Sequence, residues 1–240
     1  MTTPTKPVAP ETPAKNTRGT SSPLFTAWGE NSPFAEAYRA LRVSLFNGEK
    51  SLRSLGITGA SPRHGSSTTA ANFTLIMGES GARVTVVDAD LYRPSLHRFF
   101  DLSNTAGLSS VLAGEARLSD VLQTINPPSH MKLLAGGPPV YNPAGLLRPE
   151  RVKAVLDELR HDADLVIVDF PSVSAVAYTA QLAPMLDGVV LVLRAGTEPS
   201  DAERLVRRRL KGTNLLGIVL NRVPLRGSDA LPYQNYADLT

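Results

Sequence analysis

Three short runs, Val84–Val87, Leu165–Val168 and Val189–Leu193, are apolar or β-branched at every position instead of alternating with polar residues. A strand with that pattern needs cover on both faces, which points to a parallel sheet held between two layers of helices. Further strand candidates are Leu55–Thr58, Lys132–Leu134 and Leu215–Leu220, and the Val84 run extends back to Arg83. Helical patterns alternate with them: Ser67–Glu79, closed by Gly81, then Pro149–His161, Ala175–Leu186 and Pro199–Lys211. Such alternation predicts an α/β fold with right-handed crossovers, a mostly parallel sheet with helices on both faces. Ligands of these sheets bind beyond the carboxyl ends of the strands. Residues 59–69, 88–94, 169–172, 194–197 and 221–223 are therefore where chemistry is expected.

The 240 residues suit one domain. Residues 1–31 are rich in Pro and Thr and poor in large apolar groups, so a flexible tail without a secretory leader is expected there. Order is expected from Ser32-Pro33, an N-cap followed by a first-turn proline, to about residue 225, with 226–240 a second flexible tail. The opening helix sets Ala37, Leu41 and Leu45 at i, i+4, i+8. With no cysteine, a disulfide scaffold, a zinc-thiolate site and a thiol nucleophile are excluded. The longest uncharged run, Phe170–Leu186, is interrupted by Pro171, Pro184 and several polar residues, so no membrane span and a cytoplasmic location are expected. Lys and Arg number 25 against 22 Asp and Glu, a net +3, too little to indicate nucleic acid. Arg204, Arg207, Arg208, Arg209 and Lys211 crowd one helix candidate. A solvated face, a nucleic-acid or lipid contact and a dock for an acidic adaptor segment all stay open for it.

Three motifs fall at the expected strand ends. GITGASPRHGSSTTAAN, residues 56–72, joins a strand to a helix. A phosphate loop needs small residues whose N–H groups wrap an anion, a helix N-terminus, a lysine and a Ser/Thr hydroxyl for Mg²⁺. Gly65, Ser67 and Thr68 fit, whereas the lysine position is Ser66. Any strand-to-helix turn can carry Gly and Ser, so this string alone decides nothing. VTVVDADLYRP, residues 84–94, delivers Asp88 and Asp90 to a strand end, where two carboxylates can hold Mg²⁺ through water and accept a hydroxyl proton. DLVIVDFPS, residues 164–172, ends a strand in Asp169, the arrangement of a Walker-B carboxylate.

In this order the motifs resemble those of the bacterial tyrosine-kinase (BY-kinase) family, P-loop autokinases of capsule and exopolysaccharide synthesis. The likeness runs from about Ser32 to Pro224 and includes SPFAEAYRALR (32–42), VVDADLYRPSLHRFF (86–100), NPAGLL (142–147), DLVIVDFP (164–171) and LAPMLDGVVLVLRAGT (182–197). It implies a P-loop NTPase-like sheet, ATP and Mg²⁺ as cofactors, and a membrane polysaccharide co-polymerase or adaptor as partner, recruiting the chain to the inner face of the plasma membrane. Asp88 and Asp90 match the proton acceptor and Mg²⁺ organiser, Ser67, Asp90 and Asp169 the metal site, and Asn221 the contact to the base. Glu36, Arg39 and Arg42 match the family's self-association motif, so a homo-oligomer is implied. Tyr233 and Tyr236 are what stands in for the C-terminal tyrosine cluster that the family phosphorylates.

The departures concern the phosphate loop above all. Ser66 replaces the lysine, Arg63 and His64 replace small or acidic residues, and Tyr92 stands where the family carries Arg. A unit charge about 4 Å from a phosphate oxygen is worth roughly 4 kcal/mol at an effective dielectric near 20. A serine hydroxyl returns about 1 kcal/mol. The leading expectation is a pseudokinase-like regulator or scaffold of polysaccharide polymerisation and export with impaired ATP binding. One alternative is an active tyrosine autokinase in which Arg63 supplies the cation. A partition-type positioning ATPase is the other, and it would need a signature lysine that is missing here too.

Overall fold

The computed structural model describes residues 32–47, 52–126 and 130–224, together with Leu24 and Thr26. Helix α1 (Pro33–Phe46) leads to β1 (Ser54–Gly59), α2 (Ser66–Glu79) and β2 (Val84–Asp88). Three short helices follow, α3 (Leu96–Phe99), α4 (Leu108–Ala113) and α5 (Leu118–Val121), and then the strands β3 (Leu122–Ile125) and β4 (Met131–Leu134). The remainder alternates: α6 (Pro149–Asp162), β5 (Leu165–Phe170), α7 (Ala177–Leu182), β6 (Gly188–Arg194), α8 (Pro199–Arg209) and β7 (Leu215–Asn221).

The seven strands form one sheet in the order β3-β4-β2-β5-β1-β6-β7. Every pairing is parallel except β3 with β4. The continuously apolar strands are covered on both sides, as their pattern requires. Leu165 and Ile167 of β5 face a cluster built on α2, while Val166 and Val168 face α6 and α7. Helix α8 covers Leu191 and Leu193 of β6. Residues Thr69–Gly78 of α2 are all buried, so this helix is the axle of the domain.

Helix α1 starts as its cap predicts, with the Ser32 hydroxyl accepting the Ala35 N–H at 3.3 Å. Its inward stripe differs from the expected one. Ala35 is buried, and Tyr38, Leu41 and Leu45 pack on the α2 cluster, but Ala37 is exposed. Two residues turn a helix by about 200°, so Ala37 cannot share the face that Ala35 occupies. Leu24, inside the segment expected to be flexible, is buried against the same cluster. Apart from it and Thr26, residues 1–31 lie outside the described residues, as do 225–240 with Tyr233 and Tyr236. Among the described residues no helix is long and apolar enough to cross a membrane.

Candidate active site

The carboxyl edge of the sheet brings the three sequence motifs side by side. Reading across it, β2 contributes Asp88, β5 contributes Asp169, the loop after β1 opens α2, and β6 and β7 end in Arg194 and Asn221. Asp88 and Asp169 are register partners, and Ile57 of β1 is the partner of Asp169 on its other side. Main-chain bonds knit the strand ends together. Ala89 donates to the Asp169 carbonyl, Val173 to Gly59, and Ala60 to Val192.

Ser66, Ser67 and Thr68 occupy the first turn of α2, where N–H groups have no partner within the helix and favour an anion. Gly65 caps the helix at φ 99°, and a Cβ there would lie 2.0 Å from the Asn221 amide nitrogen. Only glycine fits both demands. Asn221 closes over the loop: its Nδ2 donates to the His64 carbonyl at 2.9 Å, and its Oδ1 accepts the Arg222 N–H at 2.8 Å. The His64 ring accepts the Arg194 N–H at Nδ1. The loop is thus tied to the ends of β6 and β7, and the residue expected to meet a base also clamps the protein to itself. Arg63 stands at the loop tip with φ 65°, exposed. Among the described residues no hydrogen bond or ion pair engages its guanidinium.

The three carboxylates sit in different settings. Asp88 is 0% exposed and accepts the N–H groups of Asp90, Ser95 and Leu96, so it anchors the turn that follows β2. Burial pushes its carboxyl up to about 6 against the pull of those N–H bonds, and the Asp90 charge adds to the rise. Asp169 is equally buried, and among the described residues neither of its oxygens has a partner at full hydrogen-bond geometry. Burial raises it well above the usual carboxylate range, the charges of Asp88 and Asp90 raise it further, and the nearby Ser67 hydroxyl opposes only in part. Asp90 is half-buried, accepts the Arg93 N–H at 3.0 Å, and is also raised by burial. It is the carboxylate open to an incoming group.

A buried carboxylate with two unpartnered oxygens, beside a serine hydroxyl at a helix N-terminus, is what a hydrated Mg²⁺ requires of a protein. Asp169 and Ser67 would hold the ion, with Asp90 reached through water. Among the described residues no three His, Cys, Asp or Glu side chains are grouped so as to hold a metal by themselves.

No protein-family model matches the chain. It is 35% identical over 191 residues to the tyrosine-protein kinase YwqD of Bacillus subtilis, covering 78% of this chain and 80% of the relative. The chain belongs to the bacterial tyrosine kinase family. Solved structures agree. The kinase domain of the Escherichia coli tyrosine kinase ETK superposes with a TM-score of 0.72 at 32% identity, over 80% of this chain and 78% of that one. The chimerical protein CapA2B2 reaches 0.79 at 29% identity, over 85% and 91%. The fold is thus the P-loop NTPase-like sheet that the motif order implied.

Against that family background, α1 carries Glu36, Arg39 and Arg42 along one flank. Arg39 pairs with Glu36 at 3.4 Å and with Glu79, at the end of α2, at 3.2 Å, while Arg42 has no such partner among the described residues. The Tyr38 hydroxyl bonds the side chains of Thr69 and Asn72, so the same helix is wired to the first turns of α2. Sequence reading did not anticipate this link, nor the stacking of Tyr92 on Tyr178, with ring centroids 6.2 Å apart. Tyr92 was visible only as a departure from the family pattern.

Proposed function

We propose that the chain is a kinase-like regulator or scaffold of polysaccharide polymerisation and export, with weak Mg·ATP binding and impaired phosphoryl transfer. The observation that carries this reading is Ser66 in the first turn of α2. Carboxylates suited to organise Mg²⁺ and first-turn N–H groups suited to receive phosphate support the kinase-like part of this reading. Ser66, in place of the lysine that would neutralise the transferring phosphoryl group, supports the impairment. When bound, Mg²⁺ supplies positive charge to the β/γ-phosphates. Asp169 and Ser67 would hold it, the first turn of α2 would receive phosphate oxygens, and Asp90 would accept the proton of an acceptor hydroxyl. Without the lysine, stabilisation of developing charge falls most, and rate is lost before affinity.

Adaptor recruitment and assembly complete the proposal. A relative in this fold was crystallised as a chimera, which supports a second component that docks on the chain. Arg42, without an ion-pair partner among the described residues, is the group that α1 offers for self-association. A second reading, an active autokinase acting on Tyr233 and Tyr236, draws on Arg63, whose left-handed backbone presents an unengaged guanidinium at the loop tip. Calorimetry with Mg·ATP on the parent and on Ser66→Lys separates the two. Undetectable or millimolar binding in the parent, tightened by two to three decades in the variant, supports the regulator. Micromolar binding in the parent with labelled phosphate appearing on Tyr236 overturns it in favour of the autokinase.

A further inference from the structure

We propose that the pocket between α5 and α6, at the amino ends of β2 and β4, binds a small anionic sugar. Its phosphate or carboxylate would lie on Lys132, and its hydroxyls on Thr85, Thr124 and Glu158. The inference goes beyond the proposed function, because the pocket stands at the opposite edge of the sheet from Asp88 and Asp169 and does not involve Ser66. It begins with a polar row where the sheet should be apolar. Strands β2 and β4 are interior, and interior strands of such a sheet are covered on both faces. Yet Thr85, Lys132 and Thr124 are register partners across β2, β4 and β3, so their side chains share one face. Two positions further along that face, Val87 and Leu134 pack into the cluster that contains α6. The helical layer stops short of the polar row. Helix α5 is a single turn of four residues, about 6 Å long, and α6 packs on β5. What remains between them is a pocket of about 550 Å³, within the range of small-molecule sites.

Some of the polar groups around it already have partners. Arg83 is held by Asp164, with Nη2 2.6 Å from Oδ1, and the His130 ring meets the Gly78 carbonyl through Nε2 at 2.8 Å. Asp162 pairs with His161 at 3.0 Å. Others have none. Among the described residues no ion pair engages Lys132 or Glu158, and no hydrogen bond engages the hydroxyls of Thr85 or Thr124. Thr85 is only 4% exposed, so the pocket is where its hydroxyl can find a partner. Lys132 is half-buried, while Glu158 and Thr124 are exposed.

These leftovers select the ligand. An ammonium only donates and a carboxylate only accepts, so an anion meets Lys132 and hydroxyl protons meet Glu158. Leu118, Leu122 and Leu159 add an apolar wall for the C–H face of a pyranose ring. A phosphate ion by itself would leave Glu158 and the leucines unmatched. A neutral sugar would leave Lys132 without a counter-charge.

The test titrates the full chain with glucose 1-phosphate and with glucuronate by calorimetry, and follows methyl-labelled protein by NMR. At least one of the two should bind with a Kd below about 1 mM, and about tenfold tighter than glucose or inorganic phosphate. The tighter of the pair names the anion as phosphate or carboxylate. Lys132→Met keeps the stem and removes the charge, and it should weaken that sugar about tenfold or more. Thr85→Val keeps the branched shape without the hydroxyl and should weaken it about three- to fivefold. Glu158→Gln should weaken the sugar too, yet leave inorganic phosphate unchanged or bound more tightly, since it removes a like charge. Methyl shifts should gather on Thr85, Leu118, Leu122 and Leu159. No binding of either sugar below about 1 mM overturns the site. So does an affinity that any of the three substitutions leaves unchanged, inorganic phosphate equal to the sugar, or methyl shifts gathered on Thr68 and Thr69 of α2. Mg·ATP calorimetry on Lys132→Met should match the parent, so a failed sugar site with that result leaves the proposed function standing.

Discussion

Replacing Asp169 by Asn should stabilise the nucleotide-free protein at pH 8. Asp88 and Asp169 are register partners on adjacent parallel strands and both are fully buried. Neighbouring strands lie about 4.8 Å apart and paired side chains point the same way. Where both are ionised, two negative charges about 5 Å apart repel by roughly 3 kcal/mol at an effective dielectric near 20. Where Asp169 instead keeps its proton, the same repulsion is met as the cost of holding it. Asparagine keeps the shape and removes one charge. Its amide, left without the partners that Asp169 also lacks, takes back about 1 kcal/mol. A gain of about 2 kcal/mol remains. The pH dependence gives a second check. In the parent, Asp88 holds its proton up to about 6, while the unfolded chain releases it near 3.8. The folded state therefore binds the extra proton, and its contribution is full below 3.8 and lost as pH rises through about 6. At about 1.4 kcal/mol per pH unit, that loss is about 3 kcal/mol. Urea unfolding at pH 5 and pH 8 measures both effects: the gain from Asp169→Asn should be clear at pH 8 and much smaller at pH 5, and Mg²⁺ should narrow the difference at pH 8. A variant less stable than the parent at pH 8, or a gain equal at both pH values, would refute the idea of a mutually repelling pair in which Asp169 has no partner of its own.

Three further outcomes follow from the loop and from α1. Arg63→Gly relieves a left-handed backbone and should stabilise the fold by about 0.5–1 kcal/mol in urea unfolding, while weakening Mg·ATP only if Arg63 supplies the missing cation. Gly65→Ala should do the opposite, costing at least about 2 kcal/mol and breaking the bond between Asn221 and His64, because φ is 99° and the new Cβ meets the Asn221 amide at 2.0 Å. Arg42→Ala should shift sedimentation toward smaller species with unchanged thermal stability, since Arg42 has no ion-pair partner among the described residues; an unchanged distribution removes the reason for naming it.

The buried strands were legible because burial on both faces leaves an unbroken apolar run, and β1, β2, β5 and β6 fall within a residue or two of their expected positions. Strand β3 was not legible. Of its four residues, Leu122–Ile125, only Ile125 is buried; they include Gln123 and Thr124 and follow α5 without a turn. The long helix expected over Ala175–Leu186 is instead α7 followed by a 3-10 turn at Ala183–Met185, where Pro184 cannot continue α-helical bonding. At the site, the linear order of Gly65, Asp88, Asp169 and Asn221 gave their shared edge. What each polar atom bonds was beyond reach. Asp88 capping a turn and Asn221 clamping His64 both depend on partners distant in the chain or on loop geometry that composition does not encode.

Helix α2 has one more consequence, for how such a chain can change over time. Its unbroken buried stretch begins at Thr69, while Arg63, His64, Gly65 and Ser66 lie before it and touch solvent. Packing polices the stretch strictly, because any change of volume there is felt throughout the core. It polices the preceding four residues hardly at all, with Gly65 as the exception. Mutations at these positions that erase or rewrite phosphate chemistry can therefore accumulate at little cost to the core. A lineage could drift from enzyme to scaffold, or back through a single codon at position 66, while every surface that partners recognise stays in place.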